Sequence, residues 1–358
     1  MAKRVNEGYF KEHYAITEKD VVFYSVKQPP FSIHGLYEPE TKGDFRRLPD
    51  RVAIGTSDGV AGLYRNTAGG RIRFVTDSEY LAVQVEMPYI ANRSIMPLLC
   101  TAGFDIYLRK NGRERYRGSF RPPVDMTDGF ESCFHFGNRD EKEITLYMPL
   151  YNDLSRLTLG LSKDAKLSAH PGYAISKPVV YYGSSITQGA SASRPGMSYE
   201  GIISRRLNGD FINLGFAGNA KGEDAIVRYI ADLDFCAFVC DYDHNAPTAQ
   251  YLQNTHEKLY KTIRAAHKVE PILLVTRPNP YYSNQNLIQR RNIVYSTYLH
   301  GIQSGDKNLY FVDGFALLGS EDTEDCFADG THPNDLGFYR MAGGIGSVLE
   351  LALENINE

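Results

Sequence analysis

An antiparallel β-sandwich followed by a three-layer α/β/α domain is the fold class this sequence predicts. Two patterns carry the prediction. Apolar and polar residues alternate with period two through most of the first half, whereas short apolar runs alternate with helical stripes in the second. Length agrees, because 358 residues exceed what a single core commonly serves. The expected domains are residues 1–172 and 173–358.

In the first domain Ile72 and Phe74 alternate with Arg71 and Arg73, and Leu81, Val83, Val85 and Met87 alternate with polar or small residues. Phe104, Ile106 and Leu108 repeat the pattern, as do Ile144, Leu146, Met148 and Leu150. Such stretches indicate half-buried strands of antiparallel sheets. Asn111-Gly112 favours a tight hairpin between residues 105–109 and 113–117. With no convincing helix among them, the strands predict a jelly-roll-like sandwich. Its expected role is support, weighed against carbohydrate recognition by analogy of fold. The pattern breaks at Ala169-His170-Pro171-Gly172.

In the second domain, runs at residues 178–182, 210–214, 235–241, 271–276 and 309–313 have the length and β-branched content of buried parallel strands. Helical stripes lie between them. Leu252, Leu259, Ile263 and Ala266 share a face, as do Leu287, Val294, Tyr298 and Ile302, and then Met341, Ile345, Val348 and Ala352. Five strands with intervening helices imply a parallel sheet covered on both faces by right-handed crossovers.

Ligands of such a sheet bind beyond the carboxyl ends of its strands. Ser185, in Tyr181-Tyr182-Gly183-Ser184-Ser185-Ile186-Thr187-Gln188-Gly189, follows the first strand, and Gly183 allows a sharp turn there. Ser185 is the candidate nucleophile. A serine hydroxyl needs a base, and His332 in Asp329-Gly330-Thr331-His332-Pro333-Asn334 is the candidate. Asp329, three residues earlier, is placed to fix its tautomer. The plainer alternatives are a Gly-Ser loop and a helix start capped by Asn334 or Asp335.

These residues resemble the SGNH hydrolases, also called GDSL-type lipases/acylhydrolases. Gly183-Ser184-Ser185-Ile186-Thr187 is similar to the family's first block, with Ser184 where many members carry Asp and Thr187 one position early. Asp329 and His332 match its last block, and the resemblance covers residues 175–358. It implies a flavodoxin-like SGNH domain, which some relatives precede with a β-domain. It also implies an oxyanion hole. Gly218 resembles the second-block glycine, whose N–H donates, and Asn245 the third-block asparagine, whose amide donates; the N–H of Ser185 is a third donor. Asp243 replaces the usual glycine of the third block and Ala246 its final acid. All these residues follow strand ends, on one rim of the sheet.

The function expected is a serine esterase acting on small acyl esters, acetylated carbohydrate being the substrate type the resemblance implies. An acyltransferase using the same triad and an inactive glycan-binding protein are the alternatives. Arg277, Tyr281 and Tyr282 follow the fourth strand and are candidates for lining the substrate site. No cofactor or metal is expected. Asp241, Asp243 and His244 carry ligand atoms, but neighbours on a strand point to opposite faces. Gly215-x-x-Gly218 lacks the context of a phosphate loop. His256 and His267 are read as solvated surface residues.

A net charge of −4 argues against a nucleic-acid partner, and no apolar run is long enough to span a bilayer. The first residues show no signal peptide, so a cytoplasmic location is expected unless a leader was trimmed. Five scattered cysteines fit a reducing compartment, with Cys236 and Cys240 as small buried residues. An oligomer is compatible with the sequence.

Overall fold

The structure, a computed structural model, describes residues 16–41, 43–278 and 284–356. The chain divides into two compact units. The first comprises Met1–Arg47, Arg65–Tyr173 and Ser193–Gly196; the second comprises Leu48–Tyr64, Ala174–Ala192 and Met197–Glu358.

Two antiparallel sheets form the first unit. One orders Val21–Ser25, Arg156–Ser162, Tyr80–Glu86 and Gly129–His135. The other orders Leu167–Ser168, Arg71–Thr76, Lys142–Tyr147, Phe104–Lys110 and Arg113–Phe120, with Ser32–His34 also paired to Arg71–Thr76. The alternating residues meet in one core that includes Ile72, Phe74, Val83, Phe104, Ile106, Ile144 and Leu146. The expected hairpin is present: Asn111 and Gly112 have φ of 52° and 75°, the positive pair that matches strand twist.

The other faces are less solvated than alternation implies. Arg71 and Arg73 are buried, with Arg73 stacked 3.7 Å over the Tyr173 ring and its Nε donating to Thr145 at 3.2 Å. Three short helices also stand where none was expected: Leu98–Ala102 in the first unit, and Asp50–Thr56 and Asp58–Ala61 in the segment that belongs to the second. At four to seven residues they are too short to show a 3.6-residue period.

In the second unit a five-stranded parallel sheet runs through Ile175–Gly183, Gly209–Gly215, Ala237–Asp241, Ile272–Val275 and Leu309–Val312. Its spatial order is second, first, third, fourth, fifth, the flavodoxin-like order. Val180, Tyr182, Phe238, Cys240 and Leu274 on one face share a core with Ile226, Leu252, Leu259, Ile263 and Val294 of the helices Asp224–Ala231, Ala249–Ala266 and Gln285–Gln303. On the opposite face Tyr181 meets Tyr199 of the helix Tyr199–Leu207, and Tyr199 stacks on Phe338 of Asp335–Ile356. The sheet is thus covered on both sides. Two of the three expected stripes end short of their last members, since Ile302 is 40% exposed and Ala266 is exposed at its helix end, whereas the third ends on a buried Ala352. Among the described residues no helix is long and apolar enough to cross a membrane.

Candidate active site

Register decides where the site forms. Gly183 of the first strand pairs with Gly215 on one side and Asp241 on the other, so three chains leave the sheet at one level. This is the switch point of the strand order, where adjacent connections part to opposite faces. Gly183 does not have a positive φ, contrary to the conformational role expected of it. Its requirement is close approach, because a Cβ there would overlap Thr187 Oγ1 and the Asp241 carbonyl. Ser184 then caps the short helix Ser185–Gln188, its Oγ accepting from the N–H of Ile186 at 3.1 Å.

The first helical residue, Ser185, donates its hydroxyl to Nε2 of His332 at 2.9 Å across 147 residues of chain. Nδ1–H of His332 donates to Oδ2 of Asp329 at 2.8 Å. Oδ1 of the same carboxylate accepts the N–H groups of Thr331 at 2.9 Å and His332 at 2.8 Å. Partial burial alone raises the Asp329 pKa, but the bonds from His332 and Thr331 outweigh it and hold the group below its ordinary range. An ionised Asp329 fixes the proton on Nδ1, which leaves the Nε2 lone pair facing Ser185. Asn334 is the following cap, its Oδ1 accepting from Leu336 at 3.0 Å and Gly337 at 3.2 Å.

Hydrogen bonds tie the second and third loops to this turn. The N–H of Phe216 donates to the Gly183 carbonyl at 2.9 Å, and that of Ala217 to Gln188 Oε1 at 3.1 Å. Gly218 is exposed with φ of 71°, a left-handed conformation that a side chain would strain. Asn245 sits in the 3-10 turn Asp243–Asn245, and its Nδ2 donates to the Phe216 carbonyl at 3.1 Å. An amide nitrogen carries two hydrogens, so one bond still leaves a second donor.

A family model for GDSL-like lipases/acylhydrolases matches residues 176–350, and a model for the N-terminus of SGNH-hydro-type esterases matches residues 21–167. The chain belongs to the GDSL-like lipase/acylhydrolase family. A protein from Bacteroides ovatus described as a GDSL-like lipase superposes with a TM-score of 0.84 at 29% identity, covering 93% of this chain and 98% of its own. A salicylyl-acyltransferase from a tetracycline biosynthetic pathway gives 0.76 at 20% identity, covering 94% and 99%. An acetyl xylan esterase from the rumen bacterium Butyrivibrio proteoclasticus gives 0.58 at 13% identity, covering 93% and 99%. Comparison with curated protein sequences gave no significant match. Family membership places this chain among ester-hydrolysing enzymes.

In this GDSL-like hydrolase the remaining candidates fall as follows. Arg277 is half-buried behind the histidine turn: its Nη2 donates to Thr331 Oγ1 at 3.2 Å and its backbone N–H to Asp243 Oδ2 at 3.2 Å. Burial, opposed by Asp243 and Asp329, lowers its pKa. Tyr281 and Tyr282 lie outside the described residues.

Asp243, which departs from the family pattern, also accepts from His244 Nδ1 at 3.1 Å through Oδ1. Burial raises the Asp243 pKa, yet His244 and Arg277 outweigh it and leave the carboxylate charged; burial lowers His244 despite that bond. Ligand atoms of Asp241, Asp243 and His244 lie within 4.8 Å of one another, because residues 243–245 form a turn and the expected opposition of neighbours on a strand does not apply. Two of the three already bond each other, and Arg277 adds a positive charge beside them, so a cation would have to displace existing partners. Glu18, Cys133 and His135 make a similar set in the first unit, where Glu18 Oε1 already holds His135 at 3.1 Å.

Sequence reading missed several groups behind the rim. Asn213 is buried and donates to the Thr187 carbonyl at 2.6 Å while accepting from the N–H of Gly215 at 2.9 Å. Glu200 and Asp241 are fully buried, and desolvation pushes both carboxyls well above their ordinary range. The two histidines read as surface residues are not solvated. His256 is 1% exposed, bonded to Thr297 at 2.9 Å and stacked on Tyr242; His267 stacks on Phe235 and meets the Ala231 carbonyl at 3.0 Å. Both imidazoles turn inward from the helix Ala249–Ala266 and its end, where charged neighbours in sequence disguise them.

Proposed function

We propose that this enzyme hydrolyses small acyl esters, acetyl esters of carbohydrate foremost, through an acyl-enzyme on Ser185. The observation that carries the reading is the chain of bonds from Ser185 to His332 at 2.9 Å and from His332 to Asp329 at 2.8 Å. As Ser185 Oγ attacks the ester carbonyl carbon, Nε2 of His332 takes its proton. The carbonyl oxygen becomes an oxyanion that the N–H groups of Ser185 and Gly218 and the Asn245 amide receive. Collapse expels the alcohol, which leaves with the proton from His332. Water then attacks the acyl-serine with His332 again as base, releasing the acid and restoring the hydroxyl.

The preference for acetylated carbohydrate draws on structures of this architecture titled as carbohydrate esterases, including one in complex with cellohexaose. Arg277 borders the site and is proposed to face the substrate's alcohol side. Transfer to an alcohol acceptor uses the same residues, and the likeness to an acyltransferase over nearly the whole chain favours keeping that outcome in the assay. The test is release of acetate from p-nitrophenyl acetate and acetylated oligosaccharides, with acceptor alcohols added and products resolved. Ser185→Ala is expected to abolish turnover and labelling by a fluorophosphonate. A variant as active as the parent would remove Ser185 from the mechanism.

A further inference from the structure

Asn245, the proposed oxyanion donor, sits in a three-residue 3-10 turn, and such a short turn does not hold itself. Inside it the N–H of Asn245 donates to the Tyr242 carbonyl at 2.9 Å. The carbonyls of Asp243 and Ala246 face inward, and Pro247, next in the chain, has no N–H to give. Both carbonyls are taken by one side chain. Arg290, on the helix Gln285–Gln303 and only 7% exposed, donates Nη1 to Asp243 O at 2.7 Å and to Ala246 O at 2.9 Å. Its Nε is fixed one helical turn back, on Asn286 Oδ1 at 2.8 Å. Its neighbour Arg291 instead forms a partly exposed ion pair with Asp313.

The bonds of Arg290 therefore straddle Asn245, meeting the backbone two residues before it and one after. The same turn is coupled to the histidine side of the site. Asp243 Oδ2 accepts from the Arg277 N–H, the Arg277 guanidinium donates to Thr331, and the Thr331 N–H donates to Asp329.

We propose that Arg290 is a positioning residue for catalysis: it clamps the 243–246 turn so that the Asn245 amide is already aimed when the oxyanion forms. The inference rests on the reading of Asn245 as an oxyanion donor. A rigid planar fork suits the task, because a guanidinium held at Nε presents its other hydrogens in fixed directions. Lysine keeps the charge but presents a point donor on a flexible stem.

The experiment is a double-mutant cycle on the full chain with an acetyl ester, using Arg290→Lys, Arg290→Gln, Asn245→Ala and the combinations. Displacing a catalytic group by about 1 Å can cost on the order of 100-fold, so Arg290→Lys is expected to lower kcat by roughly 10- to 100-fold with KM little changed. In the Asn245→Ala background the same substitution is expected to lower kcat by less than about 3-fold, since nothing remains to be aimed. Arg290→Gln, whose shorter side chain withdraws its NH2 from both carbonyls and removes the charge, is expected to lower kcat at least as far as Arg290→Lys. Equal losses with and without Asn245 would mean that Arg290 only supports the fold, and an unchanged kcat would remove it from the site altogether. Ser185→Ala in parallel separates the two claims, because failure of the hydrolase reading shows as serine-independent turnover whatever Arg290 does.

Discussion

Replacing Asp329 by Asn probes the tautomer argument with almost no change in shape. Oδ1 of Asp329 accepts two backbone N–H groups, from Thr331 at 2.9 Å and His332 at 2.8 Å. An asparagine that keeps its oxygen there preserves the turn. Its NH2 then occupies the place of Oδ2, which accepted Nδ1–H at 2.8 Å. Two donors cannot share that bond, so the imidazole moves its proton to Nε2 and accepts from the amide. The nitrogen 2.9 Å from Ser185 is then protonated and cannot act as base. The alternative amide orientation restores the imidazole but sets NH2 against two backbone donors. In serine proteases of the chymotrypsin type the equivalent substitution lowers kcat about 10⁴-fold, which corresponds to roughly 5 kcal/mol of barrier. We expect a loss of the same order here, measured as kcat for p-nitrophenyl acetate with thermal unfolding as the control for the turn. A loss below about 10-fold in a folded variant would refute the orienting role, because it would mean that His332 keeps its working tautomer unaided.

Two further predictions concern buried ionisable groups. Burial depresses the His256 pKa to about 4 from 6.5, so its contribution to stability is present above 6.5 and is lost as pH falls toward 4. Between pH 7 and 5 the parent should lose about 2 kcal/mol through this residue, and His256→Gln should lose correspondingly less by urea titration. Glu200 has the opposite sign. Its folded pKa is raised above 4.5, chiefly by desolvation, so its contribution is complete below 4.5 and declines as pH rises. Glu200→Gln should therefore gain stability relative to the parent as pH rises above 4.5, and denaturation midpoints that stay parallel from acid to neutral pH would contradict it.

The strands of the second unit were legible because each is an apolar run bounded by polar turns, and the candidate site residues follow their ends. Ser185, Asp329 and His332 stood out for a simpler reason: their types and spacing suggest a nucleophile with its base, and the structure brings the three side chains together. The supporting shell was not. Asn213, Arg290 and the Asp243 link act through carbonyls and N–H groups supplied by residues distant in sequence, and no periodicity records such partners. His256 and His267 were misread because burial is set by which face of a helix meets the sheet, whereas Glu257 and Lys268 beside them point outward. Arg71 and Arg73 were assigned to a wet face because alternation marks two faces and cannot say that both are covered; Tyr173 covers one of them.

The proposed orienting acid and base, Asp329 and His332, lie on a single short loop, which bears on how activity would be lost and regained. A shift of the loop that carries Asp329 and His332 stretches its bonds to Ser185 and, through Thr331, to Arg277, while the carboxylate and imidazole travel together with their relative geometry intact. On the proposed mechanism, mild perturbation therefore uncouples Ser185 without scattering Asp329 and His332. On the same mechanism recovery is the redocking of this one loop, so inactivation short of global unfolding should reverse on the timescale of a loop rather than of the whole chain.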